Sequence, residues 1–223
     1  MGDNARPMES WDSYRRHLRA DLGRLESIID TALDTIGFQP PVSGSLRLLN
    51  PACGRCDEAA MLVAAFRKRL LKLHPDPDIR LLGADIRGRE IERARECFPG
   101  PQFEFIVADC SRLHGHREIG SDFDVIFVRH QNLWFDRQTW TRLYAGLLDL
   151  LAPDGCLMLT SYFDREHLQA LALLKELGGE LLLTLQNPLS RPLPYPGKSV
   201  DRHLTVLRAC KNDKGLKPIV LCG

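Results

Sequence analysis

The sequence predicts an α/β fold, a seven-stranded and mostly parallel sheet with helices on both faces and an antiparallel hairpin at one edge. Three observations carry this. From Leu46 onward, short apolar runs bounded by turn residues alternate with stretches of helical apolar spacing. The last two apolar runs, 180–185 and 203–209, have no helix between them, so they pair as neighbours of opposite direction. The stretch 46–73 reads as a strand, a small-residue turn and a helix N-terminus, a place where backbone N–H groups can meet a ligand.

In order, residues 11–36 place Leu18, Leu22, Leu25, Ile28, Ile29, Leu33 and Ile36 at helical spacing, with Arg and Asp on the other face. Residues 38–44, with two prolines, lead into a strand at 46–49. Asn50–Pro51 is expected to stop it, because proline has no N–H for a ladder. Asp57 and Glu58 open a helix at the positive end of its dipole. Two prolines in 74–78 make a turn before a strand at 79–84, and a helix follows over Gly88–Cys97. Strands at Phe103–Val107 and Phe123–Val128 flank a loop, 111–121, with a short helical turn. A helix at 136–151, a turn at 153–155, a strand at 156–160 and a helix at 165–177 precede the final hairpin. Its connection, 188–199, holds four prolines. The expected division is a helical cap at 1–45, a core at 46–210 and a tail at 211–223.

The 223 residues suit one large domain with a substantial core. Hydrophobic residues make up 44% and charged residues 26%, ordinary for a soluble globular protein. A net charge of +1 supplies no global field for nucleic acid or an acidic membrane, so neither is expected as a partner. No apolar run has the length of a bilayer span. MGDNARPMES has no charged-then-apolar leader pattern, and Gly2 lacks the serine or threonine of a myristoylation signal. Seven scattered cysteines suit reduced thiols in the cytoplasm better than a disulfide framework.

Function is read from convergence. In an open parallel sheet, ligands bind beyond the carboxyl ends of the strands, near the reversal of strand order. Here the first strand ends in 50–56, and the second in Asp85, placed to meet two ribose hydroxyls. The third ends in Asp109, placed to accept from an adenine amino group, and the fourth in Arg129, His130, Gln131, Asn132 and Trp134. Taken singly, Asp85 reads equally well as a helix cap, Asp109 as a loop start, His130 as a satisfied core histidine and Trp134 as a core aromatic. Four in sequence at four successive strand ends point to a ligand site.

On LLGADI, FEFIVADC, FDVIF and LLAPDGCLMLTSY, and on the terminal strand pair, the chain resembles the class I S-adenosylmethionine-dependent methyltransferases, whose fold is Rossmann-like. The resemblance spans roughly 46–209. The nearest pattern is the chemotaxis-receptor glutamate methyltransferase type. Its A-C-S-T-G-E-E loop is similar to Ala52-Cys53-Gly54-Arg55-Cys56-Asp57-Glu58, and its Arg-Asn-hydrophobic-Tyr-Phe-Asp pattern to VRHQNLWFD. Two departures stand out. Cys56 takes a glycine place, which requires its φ to be negative. The chain also has little room for that type's extra domains, so its receptor substrate is not carried over.

The resemblance implies S-adenosylmethionine as cofactor and S-adenosylhomocysteine as product. It implies cofactor contacts from Asn50, Pro51, Ala52, Cys53, Gly54, Asp57, Asp85, Ile86, Ala108, Asp109, Cys110 and Arg129, and acceptor-side roles for Arg129, His130 and Trp134. Methyl transfer needs positioning above all. His130 is the candidate base, Arg129 would orient an anion, and Trp134 would stack. Tyr195, Arg191 and Lys198 of the 188–199 loop would wall a pocket, opposite the N-terminal helices, for a small or peptide-like acceptor with an acidic group. No metal is expected, since no second Cys/His pair completes four ligands. A G-x-G-x-x-G dinucleotide signature is absent too. Two alternatives stay open: a thiol oxidoreductase using the Cys53/Cys56 C-x-x-C, and a non-catalytic S-adenosylmethionine-binding scaffold.

Overall fold

The computed structural model describes residues 11–116, 119–130, 133–134 and 136–210. Gly2, Gln131, Asn132 and the 211–223 tail, all named above, lie outside the described residues. Five helices and seven strands follow in the order α1 (Trp11–Thr35), β1 (Ser45–Pro51), α2 (Ala59–Leu70), β2 (Asp78–Asp85), α3 (Gly88–Cys97), β3 (Phe103–Val107), β4 (Phe123–Val128), α4 (Arg137–Leu150), β5 (Leu151–Ser161), α5 (Asp164–Glu176), β6 (Gly179–Gln186) and β7 (His203–Ala209). A short 3-10 helix, Cys110–Gly115, follows β3.

The strands form one sheet in the order β3-β2-β1-β4-β5-β7-β6. Strands β1 to β5 are parallel, and β7 runs antiparallel to both β5 and β6. Strand order reverses between β1 and β4. Consecutive apolar residues explain why β1 and β4 sit centrally: Leu48 and Val125 face one side, Leu49 and Ile126 the other, and all four are buried. Helices α1, α2 and α3 cover the first face, and α4 and α5 the second. Each fully buried Leu, Ile or Phe of these layers contributes about 1.5–3 kcal/mol. On α1, Leu25, Ile28, Ile29, Ala32 and Leu33 belong to the first layer, and Asp30 and Asp34 hold Arg69 of α2.

Two local turn signals are overridden by register. Pro51 does not stop β1, which stays paired with β2 as far as Pro51 opposite Ala84. The in-register pairing with β4 has already ended at Leu49, so the missing N–H falls at the ladder's last step. The expected turn at 153–155 lies inside β5 as an irregularity: Leu151 pairs with Phe123, and Cys156 with Val125. A Cβ on Gly155 would lie 2.6 Å from the Phe123 carbonyl oxygen and 3.1 Å from the Ala152 nitrogen, both backbone.

Gly155→Ala therefore forces backbone to move. It should lower unfolding stability by about 1–3 kcal/mol. A urea titration checks this by a lower midpoint at unchanged slope, and an unmoved midpoint would mean the bulge can widen freely.

Candidate functional site

The loop between β1 and α2 is built from left-handed backbone at alternate positions: Ala52 at φ 54°, Gly54 at 59° and Cys56 at 53°. The expectation of a negative φ at Cys56 is thus overturned. The conformation that favours glycine is present without the glycine, and the strain is offset by burial of a thiol that accepts from Asn50 Nδ2 at 3.2 Å. The first donors of the loop turn inward, not toward a ligand. Ala52 N–H donates to Cys110 Sγ (3.2 Å), Cys53 N–H to the Ala84 carbonyl (3.2 Å) and Gly54 N–H to Asp85 Oδ2 (2.7 Å). The loop is held by its neighbours and offers close backbone approach at Gly54.

Asp85 is buried at the end of β2, its Oδ1 accepting from the Arg87 backbone N–H (2.9 Å) and Nε (2.9 Å), its Oδ2 from Arg87 Nη2 (3.1 Å). Burial opposes ionisation, yet the Arg87 and Gly54 donors hold the carboxyl below its ordinary range. The Arg87 side chain paired with this carboxylate is itself exposed. Asp109 caps the 3-10 helix, accepting from Ser111 N–H (2.9 Å) and Oγ (2.7 Å). Ile86 is exposed on the rim, while Ala108 and Cys110 are buried beneath it. Burial pushes the Cys110 thiol up to about 12.

The strand-four end joins the loop through a buried charge network. Arg129 forks onto Asp201, Nε to Oδ1 (3.1 Å) and Nη2 to Oδ2 (2.7 Å), and reaches Glu58 Oε2 at 3.4 Å. Glu58 also accepts from Asn50 Nδ2 (2.7 Å), and Asp201 from Thr160 Oγ1 (2.9 Å). Burial works against ionised Asp201, but His130 and Arg129 hold it well below the carboxylate range. His130, itself at φ 56°, places Nε2 2.9 Å from Asp201 Oδ1, close but off the axis of a hydrogen bond. Its ring stacks on Tyr162, 3.9 Å between centroids. Arg129 is therefore held by two carboxylates. Orienting an anion would need one of them displaced.

A pocket of about 410 Å³ is lined by Ala52, Cys53, Gly54, Arg129, His130 and Tyr162, with Arg55, Asp57, Glu58, Arg87 and Glu90 around them. A second, of about 470 Å³, is lined by Trp134, Phe163, Arg165, Tyr195, Pro196 and Lys198. Lys198 of the second lies over the Tyr162 ring of the first, 4.3 Å from its centroid. The proline loop is thus brought to the strand-four end beside Trp134. Arg191 points instead at α1, where its Nε donates to the buried Asp21 at 3.0 Å.

Glu58, Asp201, Thr160, Tyr162, Phe163, Arg87 and Arg165 join the arrangement without having been picked out as site residues in the sequence. The one available signal for Asp201 is logical: a buried arginine at the end of a central strand needs an acid, and Asp201 adjoins β7, next to β5.

No known protein family matches the sequence, and no curated protein matches it. Solved structures do match in fold. Magnesium protoporphyrin IX methyltransferase from Synechocystis PCC 6803, with bound SAM, has a TM-score of 0.60 at 16% identity, over 93% of this chain and 87% of that one. A TehB-like SAM-dependent methyltransferase from Corynebacterium glutamicum has a TM-score of 0.57 at 16% identity, over 89% and 97%. The [4+2]-cyclase SpnF has a TM-score of 0.52 at 20% identity, over 71% and 59%. At these identities the likeness establishes the fold, which is the Rossmann-like class I methyltransferase fold.

Asp201→Asn leaves the Arg129 charge buried with only Glu58 near it, and should cost about 3–5 kcal/mol of stability. The native Asp201 pKa lies below the unfolded one, so its contribution is complete above about pH 4 and lost as pH falls through the native value. The urea midpoint of the wild type should fall more steeply from pH 5 to 3 than that of the variant. Parallel pH dependences would show that Asp201 carries no such linkage.

Proposed function

We propose that this chain is an S-adenosylmethionine-dependent methyltransferase. The carrying observation is two adjoining pockets at the carboxyl ends of the parallel strands, one lined by the β1–α2 loop and the other by aromatic side chains. When bound, S-adenosylmethionine supplies an electrophilic methyl group on a sulfonium, and S-adenosylhomocysteine is left. The fit is supported by the close approach allowed at Gly54, where a Cβ would meet Arg87 Nη2 at 2.9 Å, and by the buried Asp85 that accepts from the Gly54 N–H. It is supported too by charge: Glu58 and Asp201 outnumber Arg129, so the floor favours a cation.

Asn50, Pro51, Ala52, Cys53, Gly54 and Asp57 would line the amino-acid part of the cofactor, Asp85 and Ile86 the ribose, and Ala108, Asp109 and Cys110 the base. Arg129 holds the floor together through Asp201 and Glu58. His130, fixed by Asp201 and by Tyr162, would take the proton of a hydroxyl, amine or thiol acceptor, while a carboxylate acceptor needs no base. Trp134 walls the acceptor side. The acceptor is a small or peptide-like molecule with an acidic group, and free thiols at Cys53, Cys97 and Cys210 suit a cytoplasmic protein. Within the class, the receptor glutamate methyltransferase type is the nearest pattern only on the loop and on VRHQNLWFD.

The two other readings are weaker. Hydrogen bonding to Cys53 and burial raise the Cys56 thiol well above its ordinary range, the reverse of an activated redox thiol. A binding-only scaffold has no residue of its own to favour it, and SpnF, matched in fold, is a cyclase.

Calorimetry with S-adenosylhomocysteine tests the cofactor. Wild type should bind, and Asp85→Ala should weaken binding by about 1–3 kcal/mol. Cys56→Gly, which relieves the left-handed strain, should leave affinity equal or better. No binding to the wild type would end the proposal, and unchanged affinity in Asp85→Ala would remove that residue from the site. Once an acceptor is in hand, His130→Ala should slow turnover while cofactor affinity holds, and equal turnover would remove it as a base.

A further inference from the structure

We propose that the aromatic pocket takes a planar aromatic acid, a ring carrying a carboxylate or similar anion. Its role as methyl acceptor rests on the function proposed above, whereas its ligand class rests on the pocket alone.

The walls are aromatic and set at right angles. The Phe163 ring meets Trp134 edge-on at 6.2 Å and 85°, and Tyr195 at 5.8 Å and 86°. Such walls suit a flat ring, which gains from stacked or edge-to-face contact. By itself, a box of aromatic faces selects a cation. Here the chain's own cations already lie by two of those walls, Trp134 and Phe163. Arg165 lies 5.0 Å over Trp134, and Lys198 lies 4.3 Å over Tyr162 and 5.9 Å from the Phe163 centroid. A cationic ligand would meet faces already used and two like charges.

The neighbouring acids do not pair with those charges. Asp164 is forked by Arg202 (2.6 and 2.9 Å) and contacted by His203 (2.7 Å). Glu166 is buried, its carboxylate accepting from the Tyr162 N–H at 3.0 Å, and its charge acts on Lys198 without forming an ion pair with it. Among the described residues, neither Arg165 nor Lys198 has a carboxylate at ion-pair distance. Two cations on an aromatic rim with no acid lining the pocket match a ligand with an apolar ring and an anionic edge.

The rim is preorganised. Tyr195-Pro196-Gly197-Lys198 has the pattern of a type II turn: proline second, glycine third at φ 73°, and the Lys198 N–H donating to the Tyr195 carbonyl at 3.1 Å. The turn puts the aromatic wall and one cation side by side. Ser199 N–H to the Tyr162 carbonyl (3.1 Å) fastens it just past the end of β5, and Val200 N–H to the Arg191 carbonyl (2.9 Å) closes the loop on itself. Little order remains to be imposed on binding.

The test is calorimetric titration of the full chain with three probes: 2-naphthoate, 2-naphthyltrimethylammonium of similar shape and opposite charge, and cyclohexanecarboxylate. 2-Naphthoate should bind best. Lys198→Gln and Arg165→Gln should each weaken it about tenfold. Tyr195→Leu should weaken 2-naphthoate more than cyclohexanecarboxylate. Equal or tighter binding of the ammonium probe, no binding of 2-naphthoate, or its unchanged binding in both charge variants would overturn the assignment. S-adenosylhomocysteine is titrated in parallel. Its failure to bind where 2-naphthoate succeeds would sink the methyltransferase reading and leave the pocket's ligand class standing, and the converse result would sink only the ligand class.

Discussion

The pairing of Arg129 with Asp201 holds the site together. Arg129 leaves the end of β4 and Asp201 precedes β7, 72 residues apart in sequence, and Glu58 brings in the start of α2. Three elements on both sides of the β1–β4 crevice are tied by one guanidinium. Ions so buried are costly unless each is paired and its remaining hydrogen-bonding atoms are served. Here Thr160 and Asn50 supply further hydrogen bonds to the two acids, and the geometry of Arg129, a planar fork, suits the bidentate bond to Asp201. The left-handed backbone at His130 and Asp201 belongs to the same arrangement, since both residues are turned to meet.

Much of the fold was legible because it rests on local pattern. The largely apolar runs of β3, β4 and β7 and the helix α3 fall where periodicity and turn residues place them. Pro51 and Pro153 misled because turn chemistry is local while strand extent is decided by the neighbour: β2 carries β1 past its proline, and β4 takes up β5 on both sides of an irregularity. The β1–α2 loop was legible as a candidate site but not as a geometry. Its composition marks a tight turn, yet nothing local shows that its first N–H groups point at Ala84, Asp85 and Cys110. Asp201, Tyr162 and Arg165 were not legible, because their significance lies in contacts with distant residues.

Fold and reaction are separate questions for this chain. Structures of this fold include methyltransferases and a [4+2]-cyclase among those the chain matches. What distinguishes one from another is the wall chemistry past the strand ends. In this chain that wall divides into an acid-rich floor beneath the β1–α2 loop and a cationic, aromatic box beside the proline loop.

Between the two lies a single ring. Tyr162 has an imidazole stacked at 3.9 Å and an ammonium 4.3 Å from its centroid, one from each pocket. A partition one ring thick is a thermodynamic link. Any occupant that tilts or presses the ring from one side alters the free energy available to an occupant of the other, and linkage makes the factor identical in both directions. Order of loading would then be written into affinities before any bond is made or broken.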